Sequence, residues 1–501
     1  MLVLQDQSVL ILGLGASGLA MARWCVRCGA QVTVVDTRPV PPQLEALRRD
    51  VPQASFLCAP FDASLVEGTP VRAVFKSPGL SPAEVVPLSI AVDAMGLWAT
   101  GELGLFSRAL ADLRVSRGYS PQVLAITGTN GKTTVTSLTG QLISRAGKTV
   151  VVAGNIGPTL LDTLSQRLDE DSLPEVWVLE LSSFQLDKVS GFEPTAATVL
   201  NITQDHLDWH GSMVDYIGAK ARIFGESALM LLNRDDSAVM SLLPSPVKGR
   251  APRQWTSFGD GMPQRPGDFG IEQINGMVWL VRALEADETL KKRKGNEEEI
   301  HFQRLMPADA LRIRGRHNAF NALAALGLAT AAGCALAPLL YGLREYRGEP
   351  HRVEPVGVIN EVEFFDDSKG TNVGATVAAL NGLGADRKVV VILGGEGKGQ
   401  DFSPLVAPIN RFVRAVVLIG RDAGLIRTFL EGGAVPVLDA ATMADAAQLA
   451  HEQARSGDAV LMSPACASFD MFDNYEHRAQ VFRESVSALA ERCGVMLEGV
   501  A

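Results

Sequence analysis

The stretch ITGTNGKTT, residues 126–134, holds the residue types that cradle a polyphosphate. Gly128 and Gly131 let successive backbone N–H groups turn toward one point. Lys132 brings a cation to the phosphate oxygens, and the Thr133 hydroxyl can ligate magnesium. The usual pattern, G-x-x-x-x-G-K-[ST], asks for a glycine where Ile126 stands. The loop still leaves a strand and opens a helix, so the shorter spacing alters the path into the loop and keeps its donors. The plainer alternative is a lysine-bearing turn with no nucleotide. A second run, GLGASG, sets Gly13, Gly15 and Gly18 in G-x-G-x-x-G spacing after a strand, with Asp36 closing the next strand. By itself that arrangement reads as a dinucleotide site such as one for NAD, or as a turn that needs glycine only for its geometry.

Carboxylates, imidazoles and amines follow at intervals. Glu180 ends the strand in VLELSSFQL, where it can face a metal held by a triphosphate. TQDHLDWH spaces His206 and His210 four apart, as a helical metal pair would be, yet Leu207 stands where a zinc protease needs its glutamate. Either histidine alone is equally well structural. Lys220, in GAKARIF, reads by itself as an exposed helical lysine. EFFDDSKGTN, ILGGEGKGQDF and SPACASFDMFDNYE place Asp367, Lys369, Lys398 and Ser468 at or just past strand ends, where open α/β sheets collect ligands. Taken singly, each is a weak signal. Cys25 and Cys28 form the one C-x-x-C pair, have no second pair to complete a zinc site, and read as buried thiols in a reducing cytosol.

These groups must be held by alternating strands and helices. SVLILG, QVTVVD and AVFKSPG read as strands, the first followed by a helix from Leu19 to Cys28. VLAIT, TVVVAGN, EVWVLELSS and AATVLNIT read as a second set, and KVVVILGGEGKG, RAVVLIGRD and AVLMSPACAS as a third. The fold class is α/β in three domains: N-terminal Rossmann-like (1–112), central P-loop ATPase-like (113–348) and C-terminal Rossmann-like (349–501). No fixed-period repeat is present.

The length of 501 residues requires several cores, and 47% hydrophobic with 20% charged residues is globular composition. A net charge of −10 argues against a nucleic-acid partner. MLVLQDQSVLILGLGASG lacks a basic region and a cleavage site, so it reads as a first strand. Residues 319–343 carry no charge, but alanine, glycine and Pro338 make them two packed helices and not a membrane span. KKRKGNEEE, residues 291–299, reads as a solvated loop or hairpin tip.

Together GTNGKTT, GNIG, LELSSFQL, DH, HNAFNALAA, HR, DDSKGTN, GGEGKG and SPACAS resemble the Mur ligase family, in order and over nearly the whole chain. SPACASFDMF and the lack of a D-N-P-R motif favour the members that add D-glutamate over those that add a diamino acid. Members that add glutamate to folate lack the N-terminal domain.

The resemblance implies that the shortened loop binds ATP and that the earlier glycine turn takes a uridine diphosphate in place of NAD. It implies Gly15, Ala16 and Ser17 at the diphosphate, Asp36, Thr37 and Arg38 at the uracil, then Ser77, Pro78 and Gly79, with Asn155 at the muramoyl-alanine part. ATP would meet Gly128, Thr129, Asn130, Gly131, Lys132, Thr133 and Thr134, with Asn318, Asn321, Arg352 and Asp367 around the adenosine. Thr133 and Glu180 would hold one Mg2+, and His206 with Lys220, carbamylated, a second. Lys132, Glu180, His206 and Lys220 form the implied catalytic set. D-glutamate would meet Thr371, Lys398, Ser468 and Phe469, with Tyr475 nearby. The implied reaction is ATP-dependent amide formation between UDP-N-acetylmuramoyl-L-alanine and D-glutamate through an acyl phosphate. The implied enzyme is a cytoplasmic monomer with no membrane partner. Gly370 replaces the alanine of some relatives, a change expected to loosen its loop.

Overall fold

A computed structural model of the chain describes residues 2–249, 251–285, 300–313, 315–385 and 387–497. The first unit is a parallel sheet of β1 (Ser8–Leu12), β2 (Gln31–Asp36), β3 (Ser55–Cys58), β4 (Val71–Lys76) and β5 (Trp98–Thr100), in the order β3-β2-β1-β4-β5. The order reverses beside β1, and the resulting crevice lies at the strand ends that carry Gly13 and Ser77.

The second unit is a parallel sheet of β6 (Gln122–Thr127), β7 (Val150–Gly154), β8 (Val176–Glu180), β9 (Ala196–Val199), β10 (Leu229–Asn233) and β11 (Trp255–Phe258). Its order is β11-β10-β9-β6-β8-β7, which sets the phosphate loop after β6 between Glu180 and Leu200. Strands such as VLAIT are buried on both faces and so read as continuous apolar runs, as parallel strands do.

A three-stranded antiparallel sheet, β12 (Phe269–Ile274), β13 (Met277–Glu285) and β14 (Ile300–Pro307), lies against this unit and has no counterpart in the sequence reading. Residues 291–299, read as a solvated loop or hairpin tip, lie outside the described residues.

The third unit has β15 (Glu354–Ile359), β16 (Val362–Asp366), β17 (Val389–Gly394), β18 (Val413–Ile419), β19 (Val437–Asp439) and β20 (Ala459–Met462), in the order β15-β16-β20-β17-β18-β19. Only β15 runs antiparallel.

One apolar cluster runs without a break from the first sheet into the second. Phe106, on the helix Glu102–Arg117, meets Trp177 of β8 edge-on at 5.1 Å, and the Trp177 indole N–H donates to Tyr119 at 2.9 Å. Separate clusters fill the two faces of the third sheet. The uncharged stretch is two helices, Arg316–Ala331 and Leu336–Glu345, packed on the phosphate-loop helix Lys132–Arg145. Among the described residues no helix is long and apolar enough to cross a membrane. The first helix spans Ala16–Arg27, starting three residues before the expected Leu19, because Gly15 caps it in extended conformation.

Candidate active site

In the first unit the crevice is lined by backbone. Gly13, at φ +81°, turns the chain, and the first turn of the helix Ala16–Arg27 has no side-chain cap, leaving its N–H groups open to an anion. Nothing lies within 4 Å of where a Cβ would stand on Gly15 or Gly79, so both face open space. Ser17 does not offer its hydroxyl to that space: it donates to Glu102 at 2.7 Å. Asp36 is more committed still. Its oxygens accept the Leu14 N–H at 2.8 Å, the Arg38 N–H at 3.0 Å and two guanidinium bonds from Arg38 at 2.8 Å. Burial would raise this carboxyl, but the Arg38 and Leu14 donors outweigh it and hold it at about 2. Asp36 therefore ties the glycine turn to β2 and holds the Arg38 guanidinium beside it.

In the second unit Gly131, at φ +83°, opens the helix Lys132–Arg145, again without a side-chain cap. Asn201 braces the loop, accepting the Asn130 N–H at 2.8 Å while its own amide donates to the Asn130 carbonyl at 3.0 Å. Lys132 folds back to donate to the carbonyls of Gly128 and Thr129, each at 2.9 Å. Burial lowers its ammonium, and Glu180 pulls the other way.

Lys220 is not the exposed lysine its segment suggests. It is 1% exposed, because the helix Met213–Ala221 ends beneath the loop, and it donates to the same Gly128 carbonyl at 2.9 Å. Burial, then the charge of Lys132, pushes it well below its ordinary value. Two ammonium groups around one carbonyl repel each other, and the deeper one, Lys220, is the more strongly lowered.

Glu180 lies at the end of β8. One carboxylate oxygen accepts from the Asn155 amide at 2.8 Å; the other, Oε2, is buried with no partner. An orphaned carboxylate oxygen beside a phosphate loop fits a hard cation. Thr133, the other expected ligand, accepts a hydrogen bond from Arg352 at 2.9 Å, which a metal on that hydroxyl would have to displace.

His206 and His210, whose i,i+4 spacing lacked the glutamate of a zinc motif, do not share a helical face as a metal pair. His206 is a left-handed cap at φ +53° ahead of the short helix Leu207–His210, and His210 bonds Ser183 at 2.9 Å. Both rings pack on Phe184, at 4.7 and 5.7 Å. Burial lowers His206, and Lys132 and Lys220 add to that while Asp205 opposes it, which sets this imidazole in the field of both lysines.

The third unit closes over the loop. Besides Arg352, Asn372 donates to Asn130 at 3.3 Å. A cavity of about 70 Å³ between the second and third units is lined by Asn130, Gly131, Thr134, Asn318, Asn321, Arg352 and Asp367 together. Seven residues expected around ATP thus share one wall. Asp367 is 6% exposed and accepts from Ser463 at 2.6 Å; burial raises its carboxyl to about 7. Lys369 lies over the Tyr475 ring at 5.3 Å, and Lys398 over Phe469 at 5.7 Å. Lys398 holds a left-handed φ of +50°, Ser468 is buried, Phe469 is exposed, and Thr371 precedes the helix Val373–Leu383. These residues ring the strand ends of the third sheet but have no direct bond to Lys132 or Glu180 among the described contacts.

Residues 126–329 match the Mur ligase middle domain, 351–466 the Mur ligase glutamate ligase domain, and 7–94 the Mur ligase MurD-like N-terminal domain. The chain belongs to the Mur ligase family. It is 69% identical to the UDP-N-acetylmuramoylalanine–D-glutamate ligase of Albidiferax ferrireducens, over 99% of each chain. It is 59% identical to the enzyme of the same name from a Polaromonas species, over 99% of this chain and all of that one. Among solved structures it resembles the MurF ligase of Thermotoga maritima in complex with ADP, with a TM-score of 0.56 and 15% identity over 97% of this chain and 96% of that one. That likeness speaks for the three-part Mur ligase fold.

Two features of this Mur ligase escaped the sequence reading, and one expectation is overturned. His317, half-buried, lines the cavity between the second and third units, with Nδ1 shielded from water and unpartnered; desolvation pushes the ring down to about 4. Arg478 is 1% exposed and donates to the Cys466 and Ser368 carbonyls at 3.1 and 2.8 Å, pinning together the loops that carry Ser468 and Lys369. It falls in step with Phe482, Val486 and Leu489 on the buried stripe of its helix, a sequence signal that was available. Gly370 does not loosen its loop: a Cβ there would stand 2.6 Å from the Asp367 carboxylate, so glycine is what lets the turn close.

Proposed function

We propose that this chain joins D-glutamate to UDP-N-acetylmuramoyl-L-alanine at the expense of ATP, a step that builds peptidoglycan precursor in the cytoplasm, acting as a monomer. The observation that carries the site assignment is the convergence of Lys132 and Lys220 on the Gly128 carbonyl, with the unpartnered Glu180 Oε2 in the field of Lys132.

Two anions, the alanyl carboxylate and the triphosphate, must approach each other, and cationic groups are what make that contact possible. The N–H groups at Gly131 and the Lys132 ammonium hold the β- and γ-phosphates. Asn318, Asn321 and Asp367 fix the adenosine, and Arg352 leaves Thr133 for the phosphates as ATP enters. The open first turn at Ala16 holds the uridine diphosphate, and Asn155 orients the muramoyl end next to Glu180.

A carboxylate oxygen of the alanine attacks the γ-phosphorus, the bond to the β-phosphate oxygen breaks, and ADP leaves. The amine of D-glutamate, held near Lys398, Ser468 and Thr371, attacks the acyl-phosphate carbon. The tetrahedral adduct sheds inorganic phosphate and a proton to leave the amide. Thr133 with Glu180, and His206 with Lys220, are the residues that would hold two Mg2+ ions, which supply further charge compensation when bound. A neutral Lys220 amine can add to carbon dioxide, forming an N–C bond and releasing a proton, and so becomes an oxygen donor where an ammonium would repel a metal.

The test is phosphate release with ATP, magnesium and UDP-N-acetylmuramoyl-L-alanine while only the amino acid varies. Turnover that requires D-glutamate is expected. Equal turnover without it, or a preference for a diamino acid, would refute the reading.

A further inference from the structure

A cavity of about 310 Å³ opens on the seam between the first and second units, away from the phosphate loop. Val74, Leu88 and Val92 form its apolar floor, and Phe184 and Val189 close it from the second unit. Of the residues assigned above to the uridine-linked substrate, only Pro78 touches it. It is as large as the smaller ligand sites of proteins and has their usual character, mostly apolar with a few polar groups at a domain seam.

Lys76 reaches into this cavity from the end of β4. Its ammonium donates to the Leu80 carbonyl at 2.6 Å and lies 5.1 Å from the centre of the Trp209 ring. Among the described residues it has no carboxylate at ion-pair distance. Burial lowers it, with the more distant Asp187 opposing. A desolvated cation beside an apolar cavity costs free energy until an anion meets it. Glu102, Asp93 and Asp187 also line the space and outnumber its cations, Lys76 and Lys188, which disfavours nucleotides and other polyanions.

We propose that this cavity is a second ligand site, for a small molecule with an apolar body and one anionic group seated against Lys76. Such a ligand touches Phe184, whose ring packs on His206 at 4.7 Å, so its presence is felt at the reaction centre.

The test is calorimetric titration of the full-length protein with octanoate and, separately, octylammonium, at neutral pH. Octanoate is expected to bind at least tenfold more tightly, and Lys76→Met to erase that preference. Val86→Trp, at an exposed position on the cavity wall, is expected to weaken both probes by tenfold or more while leaving turnover intact. Saturating UDP-N-acetylmuramoyl-L-alanine should leave octanoate bound. Undetectable octanoate binding, equal affinity for the two probes, an unchanged preference in Lys76→Met, undiminished binding in Val86→Trp, or displacement by the uridine-linked substrate would each overturn the assignment.

Discussion

Replacing Asp367 with asparagine should make the ligand-free protein more stable in alkaline buffer and leave it nearly unchanged in strong acid. The carboxyl is buried on the ATP-side wall, and burial lifts it from an ordinary 3.8 to about 7; the Ser463 hydroxyl and the Arg352 charge only partly offset that. A group raised in the folded state binds its proton more tightly there than in the unfolded chain. Stability from that proton is therefore complete below pH 3.8 and is lost as pH climbs through about 7. At 1.36 kcal/mol per pH unit the interval amounts to roughly 4 kcal/mol. Asparagine keeps the shape and the acceptor for Ser463 but has no proton to lose. Stabilities from urea melts should agree for the two proteins only below about pH 3.8. At pH 5.5 the asparagine variant should already be ahead by ~2 kcal/mol, and at pH 8.5 by ~4 kcal/mol. The same change should raise the KM for ATP above pH 7, where the ionised carboxylate is the better acceptor for ribose hydroxyls. A stability gap that is identical at both pH values would mean that the carboxylate is already ionised throughout, and the argument from burial would fail.

Lys132→Ala should abolish phosphate release while binding of the uridine-linked substrate, followed by calorimetry, stays within a few-fold of the parent; loss of that binding would show that the first two units do not divide the ligands as described. Lys220→Ala should lose turnover and recover part of it with added short carboxylates, read by the same phosphate assay; full activity with no addition removes Lys220 from the metal site. Gly18→Ala should destabilise the first unit by about 1–3 kcal/mol, since its Cβ would fall 2.0 Å from the Gly13 carbonyl oxygen and 2.9 Å from Ser77 Oγ. A thermal melt and the KM for the uridine-linked substrate should both move, and an unchanged melt would contradict that close approach.

What the chain disclosed in one dimension was local chemistry. Gly128, Gly131, Lys132 and Thr133 lie within six residues and declare a phosphate loop because each acts through its own backbone or short reach. Strand ends were equally plain, since a β-branched run that stops at glycine has few other readings. The burial of Lys220 was hidden, because it depends on where a helix meets a loop 92 residues earlier in the chain. The saturation of Asp36 was hidden too: its partner Leu14 lies 22 residues away. MVWLVRALE, which became β13, has apolar residues on both parities, so alternation could not separate a strand from a helix. Around the third sheet Lys398 and Ser468 were legible only as weak strand-end signals, and Thr371, Phe469 and Tyr475 only by resemblance, because isolated residues in loops carry no spacing to read.

The unbroken apolar seam at Phe106 and Trp177 limits how this molecule can work. Splitting it once per catalytic cycle would expose aromatic and aliphatic surface to water, so the uridine and triphosphate seats behave as fixtures of a single block. Any swinging part must then be the lobe after Tyr346, pivoting where Gly348 adopts φ +93° just ahead of Pro350. On the function proposed above, that lobe would bring Arg352 and Asp367 to the nucleotide and Lys398 and Ser468 to the amino acid in one movement, and the speed of that movement would set an upper bound on turnover.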